Sequence, residues 1–176
     1  LLPALAKGEA TLSVAISEPG AGAHPKFLKT SARQDGAYYI VNGEKAYLTN
    51  GPIADHFIVL AITDETEGKK AFSAILVPAD SEELERTEGV KIDFLHPCPH
   101  GGIRLKDCKV GTENLIGKAG DAFARTSMRM RAIEDAVGAG GSVGAFQCLL
   151  NDIASVAPKE KALEIGAIST QLQLLD

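Results

Sequence analysis

The stretch NGEKAYLTNG, residues 42–51, predicts the β-structure around which the rest of the chain is arranged. Asn42-Gly43 is the two-residue signal for a type I′ hairpin turn, because Asn and Gly adopt a positive φ at little steric cost. The turn would join a strand at residues 38–41 to a second strand at residues 44–48. Asn50-Gly51-Pro52 then ends the second strand, since Pro has no N–H to donate to a sheet. The stretch therefore predicts a hairpin whose second strand stops at a polar edge.

The end of that second strand carries an aromatic and a hydroxyl side chain two positions apart. Side chains at positions i and i+2 lie on one face of a strand, so Tyr47 and Thr49 are expected to point the same way. A ring beside a hydroxyl suits a flat ligand with a polar edge. The same pair is also typical of a strand that only covers a pleated sheet, and the pattern alone leaves both interpretations open.

Composition is that of a globular chain. The 176 residues carry a formal net charge of −5, with 45% hydrophobic and 23% charged residues. The sequence has no basic cluster, which argues against nucleic acid because that binding depends on neutralising phosphates with Lys and Arg. No apolar run approaches the roughly 20 residues that cross a bilayer, and no signal peptide opens the chain. We therefore expect neither a nucleic-acid nor a membrane partner.

The three cysteines, Cys98, Cys108 and Cys148, are odd in number and have no paired spacing, so a disulfide framework is not expected. A reducing compartment fits best, which predicts a cytoplasmic location, or the mitochondrial matrix in a eukaryote. Residues 96–100, HPCPH, alternate soft and borderline metal ligands along an extended chain. Because no second ligand cluster accompanies them, we expect no metal site there, and the prolines favour a loop between strands.

Short strands separated by turn residues fill the chain from residue 11 to residue 110. Besides the hairpin, strands are predicted at residues 11–17, 28–33, 56–63, 71–77, 90–95 and 103–110. About seven or eight strands at such intervals are typical of an antiparallel β-barrel or sandwich. Two charged runs, residues 64–70 and 82–88, are predicted to be solvated turns.

Helical character replaces the strand pattern in the last third of the chain. Residues 122–156 contain no Pro and are rich in Ala, Met, Arg and Leu, which predicts one long helix. Pro158 suits the first turn of a second helix over residues 159–175. The predicted fold class is thus α+β: a β-domain at residues 1–118, with a short N-terminal helix tail, followed by an antiparallel helix pair at residues 119–176. The pair is too small to close a helical bundle by itself.

Four segments that follow one another along the chain carry a family resemblance. They are SEPGAG at residues 17–22, NGEKAYLTNG at residues 42–51, the strand at residues 103–110 followed by ENLIG at residues 113–117, and the Gly-rich helix. In this order they resemble the acyl-CoA dehydrogenase family, from about residue 4 to residue 150. The resemblance implies the family's middle β-domain plus the start of its C-terminal helical bundle, with FAD between the two. It also implies that the chain is a fragment without the family's N-terminal helical domain.

The resemblance assigns flavin contacts to two strand ends. One contacts the pyrimidine edge of the flavin through its backbone and its last hydroxyl, and it matches Val14, Ala15, Ile16 and Ser17. The other strand end lies against the isoalloxazine ring and places a hydroxyl near the reactive nitrogen of that ring. It matches Tyr47, Leu48 and Thr49. Ser17 stands where the family has Thr, and Tyr47 stands where it has Trp, so the polar and the aromatic character are kept.

The resemblance also implies substrate contacts. Ala23 stands where the family has a Ser that contacts the thioester ligand, so only its backbone could serve. Most members keep the catalytic carboxylate in a late segment that this chain does not reach, but a minority place it on the first helix of the bundle, where Glu134 matches. Ile133 and Asp135 flank it, and burial beside apolar neighbours would raise the pKa of Glu134, as a general base often needs. Asp135 replaces the family's Arg, and a solvated pair of carboxylates is the alternative interpretation.

The implied activity is the α,β-dehydrogenation of an acyl-CoA thioester. A carboxylate removes the α-proton while the β-hydrogen leaves as hydride to FAD. The implied partners are the acyl-CoA substrate, an acceptor like electron-transfer flavoprotein, and further copies of the full-length chain in a homo-oligomer. The fragment alone is expected to be inactive. The alternative is a non-catalytic β-module, or a degenerate family member, that binds a thioester or a partner subunit.

Overall fold

The computed structural model describes residues 1–89 and 98–174 of the chain. The chain divides into two compact units, Leu1–Ser127 and Met128–Asp176. The described strands lie in the first unit and the two long helices in the second, so the chain is α+β. The first unit extends past the boundary predicted after residue 118, because Asp121 bridges to Phe72 and the Phe123 ring lies 6.0 Å from the Phe72 ring.

The first unit is built on one eight-stranded sheet. Its elements in chain order are α1 (Leu2–Ala6), β1 (Leu12–Ala15), β2 (Ser31–Asp35), β3 (Tyr38–Thr49), β4 (His56–Thr66), β5 (Lys69–Pro78), β6 (Leu84–Thr87), β7 (His100–Gly111) and β8 (Leu115–Ile116). Along the sheet the order is β6-β7-β3-β2-β4-β5-β8, with β1 paired to β4 off this path. Single 3₁₀ turns at Gly51–Ile53 and Thr112–Asn114 and a π-helical turn at Phe123–Ser127 complete the unit.

Two of the strand pairings are parallel, which corrects the expectation of an antiparallel sheet. β1 runs parallel to β4, from Leu12 opposite His56 to Ala15 opposite Val59, and β2 also pairs in parallel with β4. Parallel neighbours need a long crossover connection, and the chain supplies one by placing β2 and β3 between β1 and β4. The pairing path ends at β6 and β8, and these two strands do not pair with each other in the described residues.

The hairpin predicted at Asn42-Gly43 is wrong, because β3 runs through these residues without turning. The turn lies earlier, at Gly36-Ala37, where Asp35 pairs with Tyr38 and Gly36 has a φ of 60°. Asn42 bonds across the sheet instead: its Nδ2 donates to Asp107 Oδ1 at 3.0 Å, and the Asp107 N–H donates to Asn42 Oδ1 at 2.8 Å. The Asn-Gly pair therefore lies at a register shift between β3 and β7 rather than at a turn.

The remaining strand predictions have different outcomes. β4, β5 and β7 overlap the strands predicted at residues 56–63, 71–77 and 103–110, whereas the strand predicted at residues 90–95 lies outside the described residues. β6 was missed, because its acidic run indicated a solvated turn. It is an edge strand that pairs with β7, where Arg104 Nη1 lies 3.0 Å from Glu85 Oε2. Charged side chains are common on edge strands, since they discourage pairing with other chains.

Alternating apolar side chains on the central strands form the core of the first unit. Phe57, Val59 and Ala61 of β4 and Ile75 and Val77 of β5 have no exposed surface. Their spacing of two places them on one face of each strand. Burying a side chain such as Val, Ile or Phe contributes about 1.5–3 kcal/mol, so this face holds the sheet together.

The second unit consists of two helices, α2 (Met128–Val156) and α3 (Ala162–Gln173), joined through a 3₁₀ turn at Lys159–Lys161. The glycines of α2 have open space beside them: among the described residues, no atom outside the local backbone lies within 4 Å of a Cβ placed at Gly138, Gly140, Gly141 or Gly144. Within the part of the chain that the structure describes, no helix combines the length and the apolar character needed to cross a membrane.

A buried ion pair joins the loop after β1 to β3. Lys45 has no exposed surface, and its ammonium donates to Glu18 Oε1 at 3.0 Å and to the Ile16 carbonyl at 2.9 Å. The Glu18 carboxylate also accepts hydrogen bonds from the backbone N–H groups of Lys29 at 2.8 Å and Thr30 at 2.9 Å. The charges are thus paired and further hydrogen-bonded, as buried charges need to be.

Both members of the pair have shifted pKa values. Burial alone would raise the pKa of Glu18, but Thr30 and Lys45, with the backbone N–H groups of Thr30 and Lys29, lower it below its ordinary value of 4.5. Burial lowers the pKa of Lys45 from 10.5 to about 8, although the attraction of Glu18 opposes that change. Glu18 therefore contributes stability at neutral pH that is lost as the pH falls through its folded pKa.

Replacing Glu18 with Gln (E18Q) should destabilise the first unit by about 3–5 kcal/mol near neutral pH, because Lys45 is then buried without its counter-charge. The difference between wild type and E18Q should shrink as the pH falls below 4.5, where the wild type loses the stabilisation of ionised Glu18. Urea unfolding followed by circular dichroism over this pH range measures both effects. The control is E85Q on the exposed edge strand, which should cost less than about 1 kcal/mol. A penalty for E18Q that stays constant with pH would contradict the role of the charge.

Candidate functional site

Two chain segments singled out in the sequence lie side by side in the first unit. The Ala46 N–H donates to the Ser17 carbonyl at 2.9 Å, and the Ser13 hydroxyl donates to the Thr49 carbonyl at 2.8 Å. The segment from β1 into the following loop therefore runs next to the end of β3. These bonds bring residues 14–17 and residues 47–49 together.

Residues 14–17 offer backbone donors to a ligand. Ala15 and Ile16 are buried, while Ser17 is half-buried and its hydroxyl has no bond within the described residues. The Ile16 carbonyl is already used by the Lys45 ammonium. The N–H groups of Ile16 and Ser17, in contrast, have no partner in the described parts of the chain. Within the described residues, the segment thus has two N–H groups and one hydroxyl without a hydrogen-bond partner.

The end of β3 places a ring and a hydroxyl on its solvent side. Tyr47 is 45% exposed and Thr49 is exposed, whereas Leu48 between them is buried in the core. Tyr47 has a φ of 61°, which is rare for an aromatic residue. It lies where the register of β3 against β7 shifts, between Lys45 and Leu48. This irregularity is a β-bulge, a feature that re-aims side chains at the edges of sites.

The Thr49 hydroxyl bonds to a residue that was considered only as a metal ligand. His100 stands opposite Thr49 in the sheet; its Nε2 lies 3.1 Å from Thr49 Oγ1, and its Nδ1 lies 2.9 Å from the Cys98 carbonyl oxygen. Part of the HPCPH run, residues 96–97, lies outside the described residues. Within the described residues, no group of three metal-ligating side chains comes together. His100 therefore belongs to the hydrogen-bonded end of β3.

Ala23 lies in the loop that follows Ser17. The loop is closed by two backbone bonds, from the Glu18 N–H to the Gly22 carbonyl at 2.9 Å and from the Gly22 N–H to the Glu18 carbonyl at 3.0 Å. Ala23 is exposed, and its methyl group cannot form a hydrogen bond. At this position the chain offers a ligand only backbone groups.

Three lysines surround a cleft of about 440 Å³ beside the same loop. We call it the lysine cleft; residues 18–21 line one side, and Lys26, Phe27, Lys29 and Lys70 line the other. The Lys70 ammonium donates to the carbonyls of Lys26 at 2.9 Å and Leu28 at 2.8 Å, which fixes its position. None of the three ammonium groups lies within 4 Å of a carboxylate of the described residues. The cleft therefore carries positive charge that no salt bridge among the described residues neutralises.

Ile133, Glu134 and Asp135 lie on α2 in the second unit. All three are exposed, Ile133 to 66%. Asp135 Oδ2 lies 3.6 Å from Arg131 Nε, one helical turn earlier. Glu134 is therefore not buried in this unit, contrary to the expectation. Its apolar neighbour Val137, which would have to cover it, is itself 74% exposed.

Sequence reasoning missed the two residues that hold the site together, Glu18 and Lys45. Both lie inside segments that had been singled out, but neither received a role. A signal existed for Lys45, because the strand pattern places it among apolar residues of β3, and a charged residue in a buried position needs a partner. The partner could not be identified, since 27 residues separate the two.

Comparison with known proteins gives a family match for most of the first unit. The sequence profile described as acyl-CoA dehydrogenase, middle domain, matches residues 13–108. The chain is 31% identical over 160 residues to the 3-(aryl)acrylate reductase of Clostridium sporogenes, covering 91% of this chain and 42% of that protein. It is 33% identical over 151 residues to the mitochondrial isobutyryl-CoA dehydrogenase of Dictyostelium discoideum, covering 85% of this chain and 36% of that protein.

Comparison with solved structures gives a match to the same family. The acyl-CoA dehydrogenase from Geobacillus kaustophilus superimposes with a TM-score of 0.82 at 26% identity, covering 98% of this chain and 49% of that chain. The chain thus spans less than half the length of these relatives.

The backbone at Tyr47 gives a test of the bulge. The variant Y47G should be more stable than Y47A by about 1 kcal/mol, because Gly adopts a positive φ without the steric penalty of a Cβ. Both variants lose the ring, so the comparison isolates the backbone. At Thr49, whose φ is not positive, the order should reverse and T49A should be more stable than T49G. Urea unfolding of the four variants measures the differences, and equal stability of Y47A and Y47G would show that the backbone there is unstrained.

Proposed function

The chain belongs to the acyl-CoA dehydrogenase family, and we propose from this membership that the complete protein is a flavin-dependent oxidoreductase that dehydrogenates an acyl-CoA thioester. The observation that supports this activity is the meeting of two strand ends, residues 14–17 and 47–49, with free donors on one and an exposed ring on the other. Flavin chemistry needs such a place, because the protein supplies the position and the hydrogen bonds while the cofactor supplies the redox chemistry.

The residues at the two strand ends fit FAD. The Tyr47 ring is exposed and can lie against a flat ring system. The hydroxyls of Ser17 and Thr49 and the free N–H groups of Ile16 and Ser17 can bond the polar atoms along its edge. When bound, FAD accepts the hydride from the β-carbon of the substrate. Val14, Ala15 and Leu48 would keep the two segments in place through their backbone and core contacts.

The lysine cleft suits the phosphates of the thioester carrier. Lysine is a common phosphate ligand, and the chain as a whole is negative at −5, so an unneutralised positive cleft is a local attraction for anions. The cleft adjoins the loop that carries Ala23, whose backbone would contact the thioester part. We propose that Lys26, Lys29 and Lys70 receive the phosphates of the coenzyme A portion.

Glu134 is the proposed base that removes the α-proton, with Ile133 and Asp135 contacting the substrate beside it. A carboxylate on α2 can do this only if it comes within hydrogen-bond reach of that proton in the complex. The geometry of the described residues leaves Glu134 free of salt bridges, so no partner within them holds it away from a substrate.

Further parts of the proposal concern the whole protein. The electron acceptor would resemble electron-transfer flavoprotein, and the full-length chain would form a homo-oligomer. The strands would form the family's barrel or sandwich, and α2 and α3 would begin its helical bundle. The three cysteines are free, which suits the cytoplasm or the mitochondrial matrix.

The alternative is a non-catalytic module that binds a thioester or a partner subunit. Two departures from the family favour it: Ala23 lacks the hydroxyl that contacts the ligand, and Asp135 replaces an Arg next to the candidate base.

The full-length protein should bind FAD, and the flavin should lose its absorbance when acyl-CoA is added without air. The variant E134Q should keep the flavin but bleach at least about 100-fold more slowly, because general-base catalysis typically contributes factors of about 10²–10⁴. Stopped-flow absorbance measures the rate.

The matched control is D152N on the same helix, which should leave the rate unchanged because Asp152 is exposed and has no assigned role in binding or catalysis. An E134Q rate equal to that of the wild type would show that another residue is the base. A colourless protein that takes up no FAD would support the non-catalytic module.

The double variant K26Q/K29Q should raise the KM for an acyl-CoA by roughly tenfold and leave kcat unchanged, since exposed charge pairs contribute about 0.2–1 kcal/mol each. The KM for the matching S-acyl pantetheine, which lacks the phosphates, should stay the same. K69Q, a change of an exposed lysine outside the cleft, is the control. An equal rise for both substrates would exclude phosphate recognition by these lysines.

A further inference from the structure

The hydrogen bonds of His100 determine where its ring carries a hydrogen. A carbonyl oxygen can only accept, so the contact of 2.9 Å between Nδ1 and the Cys98 carbonyl requires a hydrogen on Nδ1. In the neutral ring Nε2 then has no hydrogen and can only accept. In this neutral form of the ring the Thr49 hydroxyl, 3.1 Å away, donates to Nε2.

This arrangement also determines what Thr49 can offer a ligand. A hydroxyl has one hydrogen and two lone pairs. In that form the hydrogen is occupied by His100, and the Thr49 side chain, like that of Tyr47, is exposed. Thr49 can then accept a hydrogen bond from a ligand but cannot donate one.

We propose that His100 is a positioning residue that turns Thr49 into a hydrogen-bond acceptor facing the reactive nitrogen of the flavin. This inference rests on the proposed function. The nitrogen at position 5 is an acceptor in the oxidised flavin and carries a hydrogen in the reduced flavin. An acceptor opposite it bonds only the reduced form, so His100 favours reduction of the cofactor through Thr49.

The variant H100F tests the inference in the full-length protein loaded with FAD. Phe keeps a ring at the position but cannot accept the Thr49 hydrogen, which becomes free to donate to the oxidised flavin. The midpoint potential should therefore fall. A tenfold loss of preference for the reduced form corresponds to about 30 mV for a two-electron couple. Spectroelectrochemical titration measures the shift without requiring turnover.

A second measurement uses 5-deaza-FAD, in which a C–H group replaces the nitrogen. Wild type should bind FAD and 5-deaza-FAD with similar affinity, because Thr49 has no hydrogen to donate to either. H100F should prefer FAD by roughly threefold to tenfold, the size of one added hydrogen bond. Fluorescence titration of the apoprotein gives both dissociation constants.

The control is the background T49V, which lacks the hydroxyl. If His100 acts through Thr49, H100F should change neither the potential nor the affinity ratio in that background. Equal shifts with and without Thr49 would overturn the inference, as would an unchanged potential in H100F. A wild-type protein that binds no flavin would overturn the proposed function and this inference with it, whereas bound flavin with unchanged values overturns the inference alone.

Discussion

The buried ion pair between Glu18 and Lys45 is the constraint on which the candidate site depends. Both partners lie close to a site segment in sequence, because Glu18 directly follows Ser17 and Lys45 lies two positions before Tyr47. The Lys45 ammonium also bonds the Ile16 carbonyl. In a trans peptide the C=O of one residue and the N–H of the next point in opposite directions. Because the Ile16 carbonyl points to the Lys45 ammonium, the Ser17 N–H points away from that ammonium, and it has no partner among the described residues.

The same constraint accounts for the bulge in β3. In a regular strand Lys45 would share a face with Tyr47 and Thr49, so burying the lysine would bury all three. The register shift between Lys45 and Leu48 interrupts the alternation of inward and outward side chains. The Tyr47 ring and the Thr49 hydroxyl are therefore exposed, while Lys45 stays buried. Tyr47 takes up the change with its positive φ. A non-glycine residue in that conformation costs of order 1–3 kcal/mol, and such strain persists only where the surroundings impose it.

Sequence reasoning could predict the two segments of the site but not how they are joined. Residues 14–17 and 47–49 both end at turn residues, which are local sequence signals. The family resemblance assigned both segments to one site, and the structure places them side by side. The turn was assigned to Asn42-Gly43 instead of Gly36-Ala37, because Asn-Gly is one of the strongest hairpin signals in a sequence. The choice between them depends on Asp107 of β7, far away in sequence, which bonds the Asn42 amide in both directions. The partners Glu18 and Lys45 are distant in the same way, and a single sequence carries no sign of which charges will meet.

The two units differ in whether hydrogen bonds within the unit already orient the proposed site residues. Thr49 is bonded to His100 and Ser13, so its hydroxyl has a definite direction before any ligand arrives. Glu134 has no comparable contacts on α2, and its apolar neighbours Ile133 and Val137 remain 66% and 74% exposed. A carboxylate becomes a stronger base when apolar groups around it exclude water, since burial disfavours its charged form. The chemistry proposed for Glu134 therefore requires that Ile133 and Val137 be covered, which α2 and α3 do not do by themselves. The proposed flavin contacts, in contrast, involve groups whose bonds the β-sheet unit already makes.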